Sequence, residues 1–168
     1  MKARLPALVG LAISLALPAG AQQMKCDGPQ DVCQQIADIA KKYDEASSKQ
    51  DVAGVMALFT PDAVFVIEGP TPILDGRDAI EKWYAGMAKA GVFGRHDSKV
   101  EQVHVQGNTA WAVGSWSDTG PRNENHPVHG AWGDVFVPEG GTWKIRMGTA
   151  NLIEPSPGQA APSTPASR

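Results

Sequence analysis

An aspartate in an otherwise apolar segment near the end of the chain is the first candidate for chemistry. If that segment is a β-strand, Asp134 shares its face with Trp132 and Phe136, because strand side chains alternate between faces. A carboxyl group on a buried face is either neutral or paired, and a neutral carboxyl can donate a hydrogen bond or a proton. On an exposed face, Asp134 would be an ordinary solvated aspartate. The sequence leaves both interpretations open.

A histidine on the strand pattern before it is the next candidate. His104 shares a predicted strand face with Gln102 and Val100, whereas Val103 and Val105 form the opposite, more apolar face. His104 is therefore either exposed or a polar group inside a cavity. Several large apolar residues are expected to line a pocket or to fill the core: Phe65, Ile67, Trp83, Trp116 and Trp132.

Other chemistries lack their characteristic patterns. His126 and His129 lie near Asp118 and Glu124, but their spacing is not helical and Pro127 separates the two histidines, so we predict no metal site. The glycine-rich stretches lack the Lys–Ser/Thr ending of a phosphate-binding loop. No serine stands in a nucleophile-elbow pattern. We therefore expect no cofactor.

The elements that would position these side chains are predicted as helices followed by strands. Apolar residues at helical spacing predict a helix over residues 31–48 with Asp31 as N-cap, and Asp51 is predicted to cap a second helix through residue 59. A third helix begins at about residue 75 and ends at Gly91. A buried strand is predicted over residues 63–67, and residues 68–74 are predicted as a loop.

Two hairpins are predicted in the second half of the chain. The first joins strands over residues 99–105 and 109–116 through Gly107 and Asn108, and the second joins residues 131–137 to 142–147. Helices followed by a run of strands predict an α+β domain. We expect a curved, mainly antiparallel sheet that wraps around the helices and encloses a pocket.

The two ends of the chain are predicted to lie outside this domain. A basic start, a short apolar run and small residues before Gln22 predict a secretory signal peptide over residues 1–21, hence a periplasmic or secreted protein; an uncleaved anchor is the alternative. Residues 22–30 are expected to form an N-terminal extension and residues 31–154 the domain. Residues 155–168, rich in Pro, Ser and Ala, are predicted to be a disordered tail.

The charge and the cysteines restrict the partners and the compartment. The formal charge of −3 becomes −5 when Lys2 and Arg4 leave with the signal peptide, which argues against nucleic acid and against an anionic membrane surface. Cys26 and Cys33 are separated by a Gly28–Pro29 turn signal that would let them meet. We predict a disulfide between them, with two free thiols as the alternative.

An ordered set of short segments resembles a known group of domains. The set consists of Tyr43, Asp51, residues 57–59, Asp62–Ala63, residues 76–80 and Trp143–Lys144–Ile145. It resembles the SnoaL-like and ketosteroid isomerase-like domains of the nuclear transport factor 2-like superfamily. The resemblance implies a cone-shaped α+β barrel with three N-terminal helices packed on the sheet, an apolar pocket between helices and sheet, and a homodimer.

The same resemblance implies roles for three residues. Tyr43 and Asp134 match the tyrosine and the protonated aspartic acid that form the oxyanion hole of ketosteroid isomerase. The position of the catalytic base falls on Ile67. Glu68, one residue later, would point to the other face of a regular strand unless a bulge turned it inward. The catalytic candidates are therefore Tyr43, Asp134 and Glu68.

The superfamily shares a fold and not a function, so three hypotheses remain. The domain is an isomerase-, cyclase- or dehydratase-like enzyme that uses proton transfer on a small apolar molecule, a binding protein for such a molecule, or a dimeric interaction module whose own side chains fill the cone. Convergence of Tyr43, Glu68 and Asp134 on one point would favour the enzyme.

Overall fold

The computed structural model describes residues 23–69, 72–121, 124 and 126–153. The predicted signal peptide and tail lie outside these residues. These residues include three helices: α1 (Gln30–Ser48), α2 (Val52–Met56) and α3 (Arg77–Lys89). There are seven strands in the described part: β1 (Lys25–Asp27), β2 (Phe59–Val66), β3 (Ile73–Asp75), β4 (Arg95–Gln106), β5 (Thr109–Thr119), β6 (Val128–Glu139) and β7 (Thr142–Leu152). None of the described helices has the length and apolar character that crossing a bilayer requires.

All seven strands form one sheet in the order β1-β4-β5-β6-β7-β2-β3. The long strands β4 to β7 pair antiparallel through two hairpins, and β2 pairs antiparallel with β3. The parallel pairs are β1 with β4 and β2 with β7. The sheet is curved, mainly antiparallel and packed against the three helices, which confirms the predicted α+β class. It remains unclosed, so the cone has two free edges rather than being a complete barrel.

The short elements differ from the sequence prediction. Helix α2 ends at Met56 instead of reaching Phe59, because Phe59 begins β2 and pairs with Ile145 of β7. Strands β1 and β3 have three residues each and were not predicted, since a strand that short shows no detectable alternation. Asp31 is in the first turn of α1 rather than at its N-cap, which is Pro29.

Two local predictions are confirmed. The Asp51 side chain caps α2, with its Oδ1 accepting a hydrogen bond of 2.9 Å from the Gly54 backbone N–H. Cys26 and Cys33 form a disulfide with their Cα atoms 6.0 Å apart. The bond ties the edge strand β1 to the first turn of α1, and Cys33 itself is fully buried.

The core lies between the helices and the concave face of the sheet. Helix α1 packs against β4, and α3 packs against β2 and β3. The largest side chains with almost no exposure belong to both layers: Ile36, Val55, Phe59, Ile80, Val103 and Phe136. This packing closes one end of the cone and leaves space at the other.

Candidate functional site

A β-bulge in β4 decides which of its side chains face the helices. Val100 pairs with Gly114 of β5, but Gln102 pairs with the next residue, Val113, so one extra residue is inserted in β4. Such an insertion reverses the faces of all residues beyond it. His96, on the near side of the bulge, faces the helices, and so does the fully buried Val103 on the far side.

The bulge places His104 outside the cone. His104 does not share a face with Val100, contrary to the prediction, because the bulge lies between them. Its Nδ1 is 3.1 Å from Asp27 Oδ2, and its ring stacks on Trp111 with centroids 5.2 Å apart. His104 is absent from the lining of the cavity, and the predicted pocket role is corrected accordingly.

A cavity of about 400 Å³ lies between α1, α3 and the sheet. The other predicted pocket residues, which are Phe65, Ile67, Trp83, Trp116 and Trp132, all line it. The cone is therefore not filled by its own side chains, and the volume falls in the range of small-molecule sites.

Glycines on neighbouring strands make room for two tryptophans of the sheet that line the cavity. Trp116 lies over Gly130, where an added Cβ would overlap the indole ring. Trp132 lies over Gly114 in the same way, with an added Cβ only 2.8 Å from the ring. The indole N–H of Trp116 donates to the carbonyl of Ala131 at 3.2 Å, which fixes the ring orientation.

One wall of the cavity carries a histidine between two aspartates. His96 Nε2 is 3.8 Å from Asp44 Oδ1, and His96 Nδ1 is 3.6 Å from Asp118 Oδ2. The imidazole stacks on Trp116, with ring centroids 5.8 Å apart, and contacts the edge of Tyr43. Only 15% of the His96 side chain is exposed, so the ring is held in place and open mainly to the cavity.

Ser98 fixes the carboxylate of Asp44. Its backbone N–H donates to Asp44 Oδ2 at 2.9 Å, and its hydroxyl donates to Oδ1 at 2.6 Å. Burial raises the pKa of Asp44, and the two bonds from Ser98 partly offset that rise because they favour the charged form. The Asp44 carboxylate is therefore a fixed acceptor beside His96. His96 and Ser98 are two residues apart and lie on the same face of β4.

A pair of tyrosines occupies the neighbouring wall. The hydroxyl groups of Tyr43, on α1, and Tyr84, on α3, are in hydrogen-bonding contact. Burial raises the pKa of Tyr43 well above its usual value, and the carboxylates of Asp134, Asp44 and Asp118 raise it further. Tyr43 therefore keeps its proton and acts as a hydrogen-bond donor.

Asp134 faces the same cavity from β6. Burial raises the pKa of its carboxyl group to about 7, and the backbone amide of Thr149 opposes the rise. Gly148 of β7 pairs with Asp134, and a Cβ added there would lie 2.8 Å from the carboxyl oxygen. The site thus contains an acid that titrates near neutral pH rather than near pH 4.

Glu68 lies at the rim, apart from the polar wall. It lines the cavity but is exposed, and its Oε1 accepts a hydrogen bond of 2.8 Å from the Leu152 backbone N–H. Of the three predicted catalytic residues, Tyr43 and Asp134 are brought together inside the cone. Glu68 instead links the segment after β2 to the end of β7 through its hydrogen bond with Leu152.

The sequence matches the family model of the SnoaL-like domain over residues 32–147. The chain belongs to the SnoaL-like domain family. No curated protein sequence matches it. The solved structures share its fold at low identity, so they inform the fold alone.

Three solved structures are similar to this SnoaL-like domain. A ketosteroid isomerase-like protein from Erwinia carotovora atroseptica has a TM-score of 0.65 at 18% identity, over 76% of this chain and 100% of that one. A protein of unknown function with a cystatin-like fold from Nostoc punctiforme has a TM-score of 0.65 at 16% identity, over 83% and 98%. An NTF-2 like protein of unknown function from Shewanella oneidensis has a TM-score of 0.61 at 16% identity, over 71% and 98%.

Sequence reasoning missed four polar residues of the SnoaL-like site: His96, Asp44, Asp118 and Tyr84. The predicted strand began at residue 99, so His96 and Ser98 were left outside it. A signal was present, because His96, Ser98 and Val100 alternate with charged residues in the pattern of a half-buried strand. The pairing of His96 with Asp118 across β4 and β5 follows from the hairpin register.

The arrangement suits proton transfer. It combines an imidazole between two carboxylates, two tyrosine hydroxyl groups in contact and an acid whose pKa burial raises to about 7, at the wall of one largely apolar cavity. Among residues 23–69, 72–121, 124 and 126–153, no group of three or more potential ligands is arranged to hold a metal ion.

Proposed function

We propose that this SnoaL-like domain is an acid–base enzyme that moves protons on a small, largely apolar molecule with its own side chains. The observation that carries the proposal is His96, held between Asp44 and Asp118 on the cavity wall beside the Tyr43 hydroxyl. A histidine oriented by a carboxylate is the usual construction of a general base.

Each polar group has a role in this proposal. His96 removes a proton from a carbon next to a carbonyl group of the substrate. Tyr43, supported by Tyr84, donates a hydrogen bond to the oxygen on which negative charge develops. His96 then returns its proton to another carbon, which completes an isomerisation, or to a departing hydroxyl group, which completes a dehydration. Asp134 can donate a hydrogen bond to the substrate when it is protonated and accept one when it is ionised.

The position of His96 replaces Glu68 in the base role. Glu68 is exposed, and its carboxylate already accepts the Leu152 N–H. His96 is mostly buried, faces the cavity and contacts Tyr43. A binding protein without activity is the alternative, but such a protein needs only the aromatic cavity. It would have no use for a histidine placed between two carboxylates on the cavity wall.

Deuterium exchange tests the proposal without knowledge of the natural substrate. Three ketones of increasing size, which are cyclohexanone, 2-tetralone and a steroid ketone, are incubated with the protein in D₂O, and loss of the protons next to the carbonyl is followed by NMR. We expect faster exchange than in buffer for at least one ketone, and a loss of about 10²-fold or more in His96→Gln, the usual contribution of a general base.

His104→Gln is the matched control. Both histidines are on β4, beside an aspartate and stacked on a tryptophan, but only His96 lines the cavity. The His104→Gln variant should exchange the protons next to the ketone carbonyl at the wild-type rate. The proposal fails if no ketone exchanges faster than in buffer, or if His96→Gln retains the wild-type rate.

Two further features belong to the proposal. Export is supported by the sequence of residues 1–21 and by the Cys26–Cys33 disulfide, a bond typical of oxidising compartments. N-terminal sequencing of the exported protein should begin at Gln22. A homodimer through the outer sheet face is supported by the exposure of Trp111, Val113 and Met147, at 40%, 42% and 40%.

A further inference from the structure

Among the described residues, the cavity wall carries several acidic groups, and His96 is the one basic side chain beside them. Asp118 and Asp134 line it, Glu68 stands at its rim, and Asp44 is behind His96. None of the described residues that line it is a lysine or an arginine. Carboxyl groups removed from water are normally paired with a cation or held neutral. An anionic ligand would therefore meet carboxyl groups, and no lysine or arginine, among the described lining residues.

The same carboxylates act on the position where a ligand would bind. Three of them raise the pKa of Tyr43, which lines the same cavity. Their combined field therefore reaches the Tyr43 hydroxyl. A positive charge on the ligand would offset that field.

Aromatic rings supply the second feature that suits a cation. The cavity is lined by the rings of Trp83, Phe93, Trp116 and Trp132, in addition to Tyr43. The negative faces of such rings, and of tryptophan above all, attract ammonium groups. Rings combined with carboxylates, in a cavity without a lysine or arginine among the described lining residues, suit an organic cation.

We propose that the ligand of this cavity is an apolar amine, bound as its ammonium ion with Asp134 as the counter-ion. The inference rests on the proposed function because it names the substrate class of the same site. No described lysine or arginine forms an ion pair with Asp134. With the ammonium bound, Asp134 is ionised, and Tyr43 with Tyr84 remain the hydrogen-bond donors.

Three naphthalene derivatives with one ring system and different charges test the inference. 2-Naphthylmethylamine is the cation, 2-naphthylmethanol the neutral probe of the same shape, and 2-naphthoate the anion. Isothermal titration calorimetry at about pH 8, where Asp134 is ionised, should give the tightest binding for the amine. We expect it to exceed the alcohol by about tenfold or more, as for a charge-assisted hydrogen bond, and naphthoate to bind weakest.

Asp134→Asn identifies the counter-ion. It should remove most of the advantage of the amine over the alcohol, whereas Asp75→Asn on the exposed edge strand should leave that advantage intact. If the alcohol or naphthoate binds as tightly as the amine to the wild-type protein, the inference is wrong, whatever the variants do. If the amine advantage survives in Asp134→Asn, Asp134 is not the counter-ion.

Proton release gives an independent readout. Because amine binding ionises Asp134, at about pH 6 the wild-type protein should release a proton, seen as a dependence of the binding heat on the ionisation enthalpy of the buffer. The failure of this inference is distinct from that of the proposed function. Ligand charge preference is measured without turnover and should persist in His96→Gln, whereas ketone exchange depends on His96.

Discussion

Replacement of Asp134 by asparagine should change how the stability of the domain depends on pH. The pKa of Asp134 is about 7 in the folded protein and 3.8 in the reference state without burial. Between these two values the unfolded chain gives up the proton while the folded domain keeps it. The contribution of Asp134 to stability is therefore complete below about pH 4 and is lost as the pH rises towards 7.

The size of the Asp134 contribution to stability follows from the shift of its pKa. A difference of about three pKa units corresponds to about 4 kcal/mol at 1.36 kcal/mol per unit. This is an upper limit, because Asp134 is in a cavity wall where water can partly screen the charge. Since asparagine does not titrate, wild type minus Asp134→Asn isolates this contribution from those of all other groups.

Urea unfolding, followed by circular dichroism at about pH 4, 6 and 8, measures that difference. The free energy of unfolding of the wild type, relative to Asp134→Asn, should fall by several kcal/mol from the lowest to the highest pH. Asp75→Asn, which removes an exposed carboxylate on β3, should show no such trend. A difference for Asp134→Asn that varies by less than about 1 kcal/mol over this range would refute burial as the cause of the shift. The carboxyl carbon resonance of Asp134 provides a direct check on the pKa.

Two other changes test the packing of the sheet and its outer face. Gly130→Ala should lower the free energy of unfolding by about 1–3 kcal/mol, because the new methyl group overlaps Trp116. Gly86→Ala, in open space on α3, should instead raise the free energy of unfolding by about 0.5–1 kcal/mol. If urea unfolding shows equal losses for the two variants, the overlap with Trp116 is contradicted. Trp111→Glu should convert a dimer into a monomer in sedimentation velocity, whereas Ile73→Glu, which changes a more exposed residue on an edge strand, should not; a monomeric wild type would remove the basis for the dimer.

Features that depend on neighbouring residues were predictable from the sequence. The apolar positions Ile36, Ile39 and Tyr43 recur at helical spacing, so α1 was predicted to within one residue of its observed start. The Asp51 cap and the hairpin turn at Gly107 each depend on a few consecutive residues. The Cys26–Cys33 disulfide spans a short turn and was predicted for the same reason.

The candidate site was predictable only in part. Tyr43 and Asp134 were identified as candidates, and both line the cavity. The base position was sought at Glu68, next to Ile67, where the resemblance placed it. The histidine on the cavity wall was missed because it is the second residue of β4, near a strand end where alternation is weakest and boundaries are least certain.

The sequence by itself determined the helices, the hairpins and the α+β class, because each rests on periodicity or turn residues within a short window. Tertiary structure decided which histidine enters the cavity. One inserted residue between Val100 and Gln102 turns His104 to the outer face and leaves His96 on the inner face. It also decided the acidity of Asp134, since burial and the absence of a described basic neighbour depend on strands far apart in the chain.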